Sequence, residues 1–279
     1  YLPKFSPKHF FSPFQNPKYK ILWFSNMTSY QSRWTQLIVS NWIVLEMTNS
    51  PFLVSLVAFF GTIPLFIMGI FGGQLADQLP RKKILAVTAS ISLITSLILL
   101  FEITTNLIEY WHVYVAITII GISWAVDMPS RRSLIHDFMD GKPIANGIAL
   151  DSLGISLAAT IGPALAGILI SIYGISSGLI LICIFYFGSI VFIHLLPNTP
   201  AINQNFKKRL FKIDMKEIIN LLKNHPIIAP TIFLTVVMNL LMFPYTFILP
   251  VIAKNTLGVG PDLMGILQAS PGAGAMIGT

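Results

Sequence analysis

GGQLADQLPRKK, residues 72–83, is a short charged stretch between two long apolar runs. Phe52 to Phe71 carry no charge over 20 residues, and Ile84 to Phe101 carry none over 18. A hydrocarbon core about 30 Å thick is crossed by a helix of about 20 apolar residues. The stretch is therefore a tight connection between two membrane-spanning helices, and the chain reads as an all-α integral membrane protein. Gly72 and Gly73 let the chain bend there and let helices approach closely. Asp77 is a fixed negative charge at the membrane surface. Arg81, Lys82 and Lys83 sit on the entry to the next helix and mark the cytoplasmic side.

The composition agrees. The chain is 54% hydrophobic and 10% charged, with a mean hydropathy of +0.73. A soluble domain carries about 25% charged residues, so a soluble fold with a large core is excluded. Cys183 is the single cysteine and lies in an apolar run, which excludes an intrachain disulfide framework. The net charge is +7. In so apolar a chain a basic surplus suits the anionic headgroups of a lipid bilayer and not nucleic acid. Residue 1 is Tyr and no cleavable signal-peptide pattern follows, so a fragment boundary or a processed start is expected.

Outward from the hairpin, the chain divides into apolar spans. Residues 1–20 hold four Pro, four Lys and several Phe, and read as a cytoplasmic tail. Span one is 21–45, uncharged except for Arg33, and Glu46 with Asn49–Pro51 closes it. Spans two and three are 52–73 and 84–101, and an acidic loop follows at 102–109. Span four runs from Trp111 to Met128, and Arg131, Arg132, Asp137 and Asp140 mark the return to the near side. Span five is 143–173 with Asp151 inside it, and span six is 175–196. Residues 21–196 would thus form a six-helix bundle. Residues 197–225 form a polar linker in which Phe211, Met215, Ile218 and Leu222 recur at helical spacing among Lys212, Lys216 and Lys223. That pattern predicts an amphipathic helix on the cytoplasmic membrane surface. Residues 226–279 hold span seven and the start of an eighth. Sixteen of the 18 Lys and Arg fall in the tail, the 2–3 turn, the 4–5 loop and the linker, which places all four in the cytoplasm.

Two further patterns stand out. Asn16-Pro17 before span one and Pro51 opening span two are echoed by His225-Pro226 before span seven and Pro261 opening span eight. Parallel six-helix repeats of this kind build some transporters, and a full second repeat would extend about 130 residues past Thr279. In span five, Gly154, Ala158, Gly162 and Ala166 recur every four residues, beside a row of Ala159, Pro163, Gly167 and Ser171. Small residues at that spacing make a smooth helix face, and Pro163 can kink it. The row is either static packing or a pivot surface.

Gly73, Asp77, Arg81 and Lys82 fall on a pattern that resembles the loop between helices 2 and 3 of the major facilitator superfamily, G-x-x-x-D-[RK]-x-G-R-[RK]. Gln78 stands in place of the usual basic residue and Pro80 in place of the usual glycine. The alternative is a plain hairpin with positive flanks. Gly154, Gly162, Pro163 and Gly167 resemble the glycine-proline motif of that superfamily's exporters, with the last glycine one residue late. Trp34-Thr35-Gln36, Trp42, Thr48-Asn49-Ser50-Pro51, Pro64, Asp127-Met-Pro129, Arg131 and Asn146 carry a similarity to the branch holding the enterobactin exporter and macrolide-efflux proteins. The resemblance implies a major-facilitator-type helical bundle, with a six-helix N-terminal repeat and the first part of a second. It further implies a twelve-helix exporter that works by alternating access.

Buried charge gives the candidate sites. An ionisable group in a membrane is costly and marks function or pairing. Arg33 lies too deep in span one to snorkel, and Asp151 lies in the inner half of span five. They could pair with each other or with other helices. Alternatively they line a cavity, Arg33 attracting an acidic or oxygen-rich substrate and Asp151 serving as counter-charge or proton site. Asp127 and Arg131 read as a gate or surface pair at the cytoplasmic end of span four. The five His are scattered without metal-ligand spacing, so no metal site or cofactor is expected. No nucleophile-elbow, nucleotide-loop or cysteine-pair motif occurs, so the chain is not expected to be an enzyme, and pumping would draw on an ion gradient. The expectation is a monomeric, multi-pass exporter in the cell membrane that moves a small amphipathic molecule, a drug or a siderophore, against protons or another ion. An importer on the same scaffold, or a membrane scaffold or receptor, is the alternative.

Overall fold

The structure is a computed structural model and describes residues 10–139, 144–198, 228–242 and 244–278. A 3-10 turn at Ser12–Gln15 leads into α1 (Pro17–Thr48), α2 (Pro51–Gln78), α3 (Arg81–Thr104), α4 (Tyr110–Phe138), α5 (Ile144–Tyr173) and α6 (Ile175–Leu195). Then come α7 (Ile228–Met242), α8 (Pro244–Val251), a π-helical turn at Ile252–Thr256 and α9 (Pro261–Gly278). No strand occurs among the described residues. The linker helix expected around Phe211 to Leu222 lies outside the described residues.

Local chemistry sets the helix ends. The Asn16 side chain accepts a hydrogen bond from the Lys18 amide, and Pro17 fills the first helical position, where its missing N–H costs nothing. So α1 begins at Pro17, four residues ahead of the expected boundary. It ends at Asn49, whose φ of 48° is left-handed, a conformation that Asn tolerates. Ser50 then caps α2 by accepting from the Leu53 amide, with Pro51 next in line. Thr48-Asn49-Ser50-Pro51 is thus a stop and restart signal. Gly174, at φ 81°, makes the turn from α5 to α6.

Two expectations change. Gly72 and Gly73 do not bend the chain, because α2 continues to Gln78 and the turn is Leu79–Pro80. The other expected role, close approach of helices, falls to Gly72 alone: a Cβ there would lie 2.3 Å from the Ala125 carbonyl oxygen on α4, whereas one at Gly73 would meet nothing within 4 Å. Pro129 has no N–H to offer that carbonyl, which leaves it free to face α2. Helix α4 also runs ten residues beyond the expected end, so Arg131, Arg132 and Asp137 ride on the helix. Arg131 is fully buried and does not mark a surface.

The helix α1 is the axis of the bundle. It packs on α6, α5 and α4, while α2 packs on α4, and α3 on α4 and α6. Helix α9 packs chiefly along α5. Two apolar clusters form the core. One holds Ile38, Trp42, Val54, Ile117, Ile170 and Ile182; the other holds Tyr19, Leu22, Leu85, Leu134, Leu150 and Ile193. Large apolar side chains such as Phe52, Phe66, Phe101 and Phe187 point outward, as lipid requires. Among the described residues, the Pro51–Gly69 part of α2 and helices α3 to α6 are long and apolar enough to cross a membrane, 5 in all. The helix α1 falls outside that set because it carries many polar side chains, Ser25, Asn26, Gln31, Ser32, Gln36 and Asn41 among them, and these are buried against its neighbours.

Candidate functional site

Along α1, α4 and α6 the residues between the two apolar clusters are polar and buried. This layer is organised by Arg131, which is 0% exposed. Its Nε and Nη2 donate to the two carboxylate oxygens of Asp127, one turn back on α4. Its Nη1 donates to Ser25 Oγ at 3.2 Å and Asn26 Oδ1 at 2.9 Å on α1, and Nη2 reaches Ser189 Oγ on α6 at 3.4 Å. Thr88 on α3 donates to Asp127 Oδ1 at 2.8 Å. Four helices thus meet on one ion pair. The expected gate or surface pair is a buried cross-link. A desolvated pair of this kind holds together only because every donor and acceptor is satisfied.

Asn26 extends the layer. Its Oδ1 accepts from Arg131 while its Nδ2 donates to Asp151 Oδ1 at 2.8 Å. Tyr30, one turn further along α1, donates its hydroxyl to Asp151 Oδ2 at 3.0 Å. Asp151 is buried, and among the described residues no cation contacts its carboxyl. Tyr30 packs edge-on against Trp124 at 6.0 Å, and the Arg33 guanidinium lies 5.8 Å above that same Trp124 ring. Arg33 donates to the Gly61 carbonyl on α2 at 3.4 Å. The polar track therefore runs from Asp127 through Arg131, Asn26, Asp151, Tyr30 and Trp124 to Arg33. Arg33 and Asp151 belong to one layer but do not touch. Sequence reading found both ends of this track and missed Asn26 and Tyr30 between them. The signal was available, since Ser25, Asn26, Ser29 and Tyr30 recur at helical spacing inside an apolar span.

The hairpin residues act at one end of the bundle. Arg81 pairs with Asp137 at the end of α4. Lys82 donates to the carbonyl oxygens of His194, at 3.0 Å, and Leu196, which end α6. A cation on the orphan carbonyls of a helix C-terminus satisfies them and complements the helix dipole. Two basic residues at the start of α3 thus tie down the ends of α4 and α6. The side chain of Asp77 lies outside the described part of α2, and a Cβ at Gly73 would meet nothing within 4 Å. At the same end, Asn16, Tyr19 and Trp23 donate to the carbonyls of Phe138, Gly147 and Leu150.

The small residues of α5 face two partners. Gly154 lies against the Trp23 indole, and a Cβ at Gly162 would sit 3.0 Å from Gln31 Oε1 and 3.2 Å from Thr35 Oγ1, both on α1. Gly167 faces α9, where an added Cβ would fall 2.3 Å from the Pro261 carbonyl oxygen and 3.0 Å from Gly265 Cα. Gly265 in turn meets the Pro163 carbonyl oxygen. Backbone touches backbone at this crossing, as small residues permit. No group of His, Cys, Asp and Glu among the described residues is arranged to hold a metal ion.

The sequence matches a family model described as transmembrane secretion effector over residues 8–279. It is 24% identical over 262 residues to the staphyloferrin A transporter of Staphylococcus aureus, covering 93% of this chain and 65% of that protein. It is 22% identical over 244 residues to the uncharacterized MFS-type transporter YfiS of Bacillus subtilis, covering 86% of this chain and 57% of that one. The chain thus spans less than two thirds of the length of either relative. Among solved structures it superposes on the peptide transporter POT, seen in complexes with alafosfalin and with sulfate, at a TM-score of 0.55 and 15% identity. That match covers 84% of this chain and 49% of the transporter, and it is a likeness of fold alone.

Proposed function

The chain belongs to the transmembrane secretion effector family, of the major facilitator type, and from that premise we propose that it is the moving bundle of an ion-driven exporter. The reading is of a cell-membrane protein that carries a small amphipathic molecule outward by alternating access, as a monomer, with α1's start and the α2–α3 turn in the cytoplasm. The relative that transports staphyloferrin A supports a siderophore as the cargo class. The observation that carries the proposal is the buried track. A static bundle has no need of a desolvated Asp127–Arg131 pair joined through Asn26 to a second carboxyl, and such groups in membranes mark substrate and proton routes.

The roles follow from the contacts. Asp127 and Arg131 neutralise each other. Asp151 has only neutral donors in contact, Asn26 and Tyr30, so it is the carboxyl best placed to take up and release a proton. A proton arriving there removes the acceptor charge that Asn26 and Tyr30 hold, and frees α5 from α1 at that level. Gly162 and Gly167 then let α5 slide on α1 and α9 without side chains interlocking. Arg81 and Lys82 tie the ends of α4 and α6 to α3, and these contacts would have to break or persist as a unit when the bundle moves.

The test is transport by the full chain in proteoliposomes with an imposed proton gradient. Export should run with the gradient and cease on adding a protonophore. Asp151→Asn should lower gradient-driven export at least about tenfold while leaving folding intact. Export that ignores the protonophore, or that proceeds only inward, overturns the reading.

A further inference from the structure

Arg33 is midway along α1, is half-buried, and is the one cation of the track with no carboxylate partner among the described residues. Its guanidinium keeps its charge at any physiological pH and offers five N–H donors. Here it makes one long hydrogen bond, to the Gly61 carbonyl at 3.4 Å, besides its contact with the Trp124 face. Next to it is a cleft of about 40 Å³ between α1, α2 and α4, lined by Arg33, Gln36, Val57, Gly61, Thr62 and Ile117. Gln36 is 3% exposed, and its Oε1 is buried with no hydrogen-bond donor. The cleft is built, therefore, of a cation that lacks an anion and an acceptor that lacks a donor, set in walls that are apolar apart from Thr62.

We propose that this cleft is a subsite for a carboxylate bearing a neighbouring hydroxyl, with Arg33 taking the carboxylate and Gln36 accepting from the hydroxyl. Water alone would satisfy Gln36 but would leave the charge of Arg33 uncompensated, whereas an anion that also carries a hydroxyl donor answers both. A site that admits one water needs about 10–15 Å³, so this cleft holds a group of about three or four heavy atoms. The carboxylate and the hydroxyl oxygen of a 2-hydroxycarboxylate end, about four heavy atoms, fit that size, and the carbon that joins them would lead out to the rest of a larger molecule. The low polarity of Val57 and Ile117 strengthens the ion contact. Gly61 keeps the wall thin, since a Cβ there would press on Ile117 Cγ2 at 3.0 Å. The Trp124 ring, 5.8 Å from the guanidinium, steadies Arg33 before a ligand arrives. The proposal names the substrate class of the transporter suggested above and rests on that reading for its purpose.

The test is calorimetric binding to the purified full chain in detergent, with malate, succinate and dimethyl malate as probes. Malate should bind more tightly than succinate, and dimethyl malate should give no heat. Arg33→Lys should weaken malate about tenfold or more, since a point charge replaces a two-pronged donor. Gln36→Leu should bring malate to the level of succinate and leave succinate unchanged, which separates loss of the acceptor from loss of the fold. Equal binding of malate and its dimethyl ester overturns the proposal, as does native affinity for malate in both variants. Malate binding of the expected pattern in a protein that moves nothing down a gradient keeps the subsite and removes the transporter reading. Gradient-driven export by a protein to which malate does not bind does the reverse.

Discussion

Five hydrogen bonds hold the Arg131 guanidinium, and they come from four side chains on three helices. An arginine has five N–H groups, so its donor capacity is matched. That balance makes the residue intolerant of single changes. Arg131→Met leaves Asp127 as a buried, unpaired carboxylate, and the expected loss is about 3–5 kcal/mol. The loss should appear as a lower midpoint in denaturant unfolding of the purified protein. Replacing both partners, Arg131→Met with Asp127→Leu, should recover most of it, because an apolar pair of similar volume carries no desolvation cost. A single variant as stable as the native protein would show that the pair is not what joins the helices. Asp151 differs in kind, since its partners Asn26 and Tyr30 are neutral and its loss removes two hydrogen bonds but no ion pair.

Helix α2 meets α4 where a glycine faces a carbonyl that proline has set free. Gly72→Ala places a methyl group 2.3 Å from the Ala125 carbonyl oxygen, so one helix must shift, at a cost of about 1–3 kcal/mol. Gly73→Ala meets nothing within 4 Å and should be neutral or gain up to about 1 kcal/mol from lost chain freedom in the unfolded state. Thermal melts should put the Gly72 variant below the native protein and the Gly73 variant at or above it; equal melts would remove the packing role of Gly72. The contrast shows what was legible in the sequence. The apolar runs that became α2 and α3 were plain, because lipid demands them. The family pattern picked out Gly73, whereas the tight contact belongs to Gly72, since spacing along one helix carries no information about which carbonyl waits on the next. The last ten residues of α4 were read as surface for a related reason. Arg131 is charged, and only its partners, Asp127 one turn back on α4 and Asn26 on α1, make its burial tolerable, whereas Asp137 stays exposed and pairs with Arg81 on α3. Arg33 and Asp151 were recognisable as buried charges, but their partners were not.

At the scale of the molecule, charge placement fixes the orientation that we propose. Sixteen of the 18 basic residues fall in the N-terminal tail, the 2–3 turn, the 4–5 loop and the linker of the sequence, so cysteine placed at Asn203 should resist an impermeant thiol reagent applied to intact cells. Cysteine at Asn106, in the opposite loop, should react. The reverse pattern would invert the topology. The polar character of α1 has a different consequence, in biogenesis. An arginine at the centre of an inserting helix opposes entry into lipid by about 2.5–3.5 kcal/mol, and α1 adds Asn26, Gln31, Gln36 and Asn41 to Arg33. Its partners α4, α5 and α6 follow it in the chain, so during synthesis α1 reaches the bilayer before these helices exist to shelter its polar face. It must wait at the translocon or at the membrane surface, and enter lipid together with helices made later. A glycosylation or reporter fusion placed after α1 alone should therefore report a mixed orientation, and the same fusion placed after α6 a single one. The axis of the finished bundle is then the helix that depends most on its successors to become membrane-spanning at all.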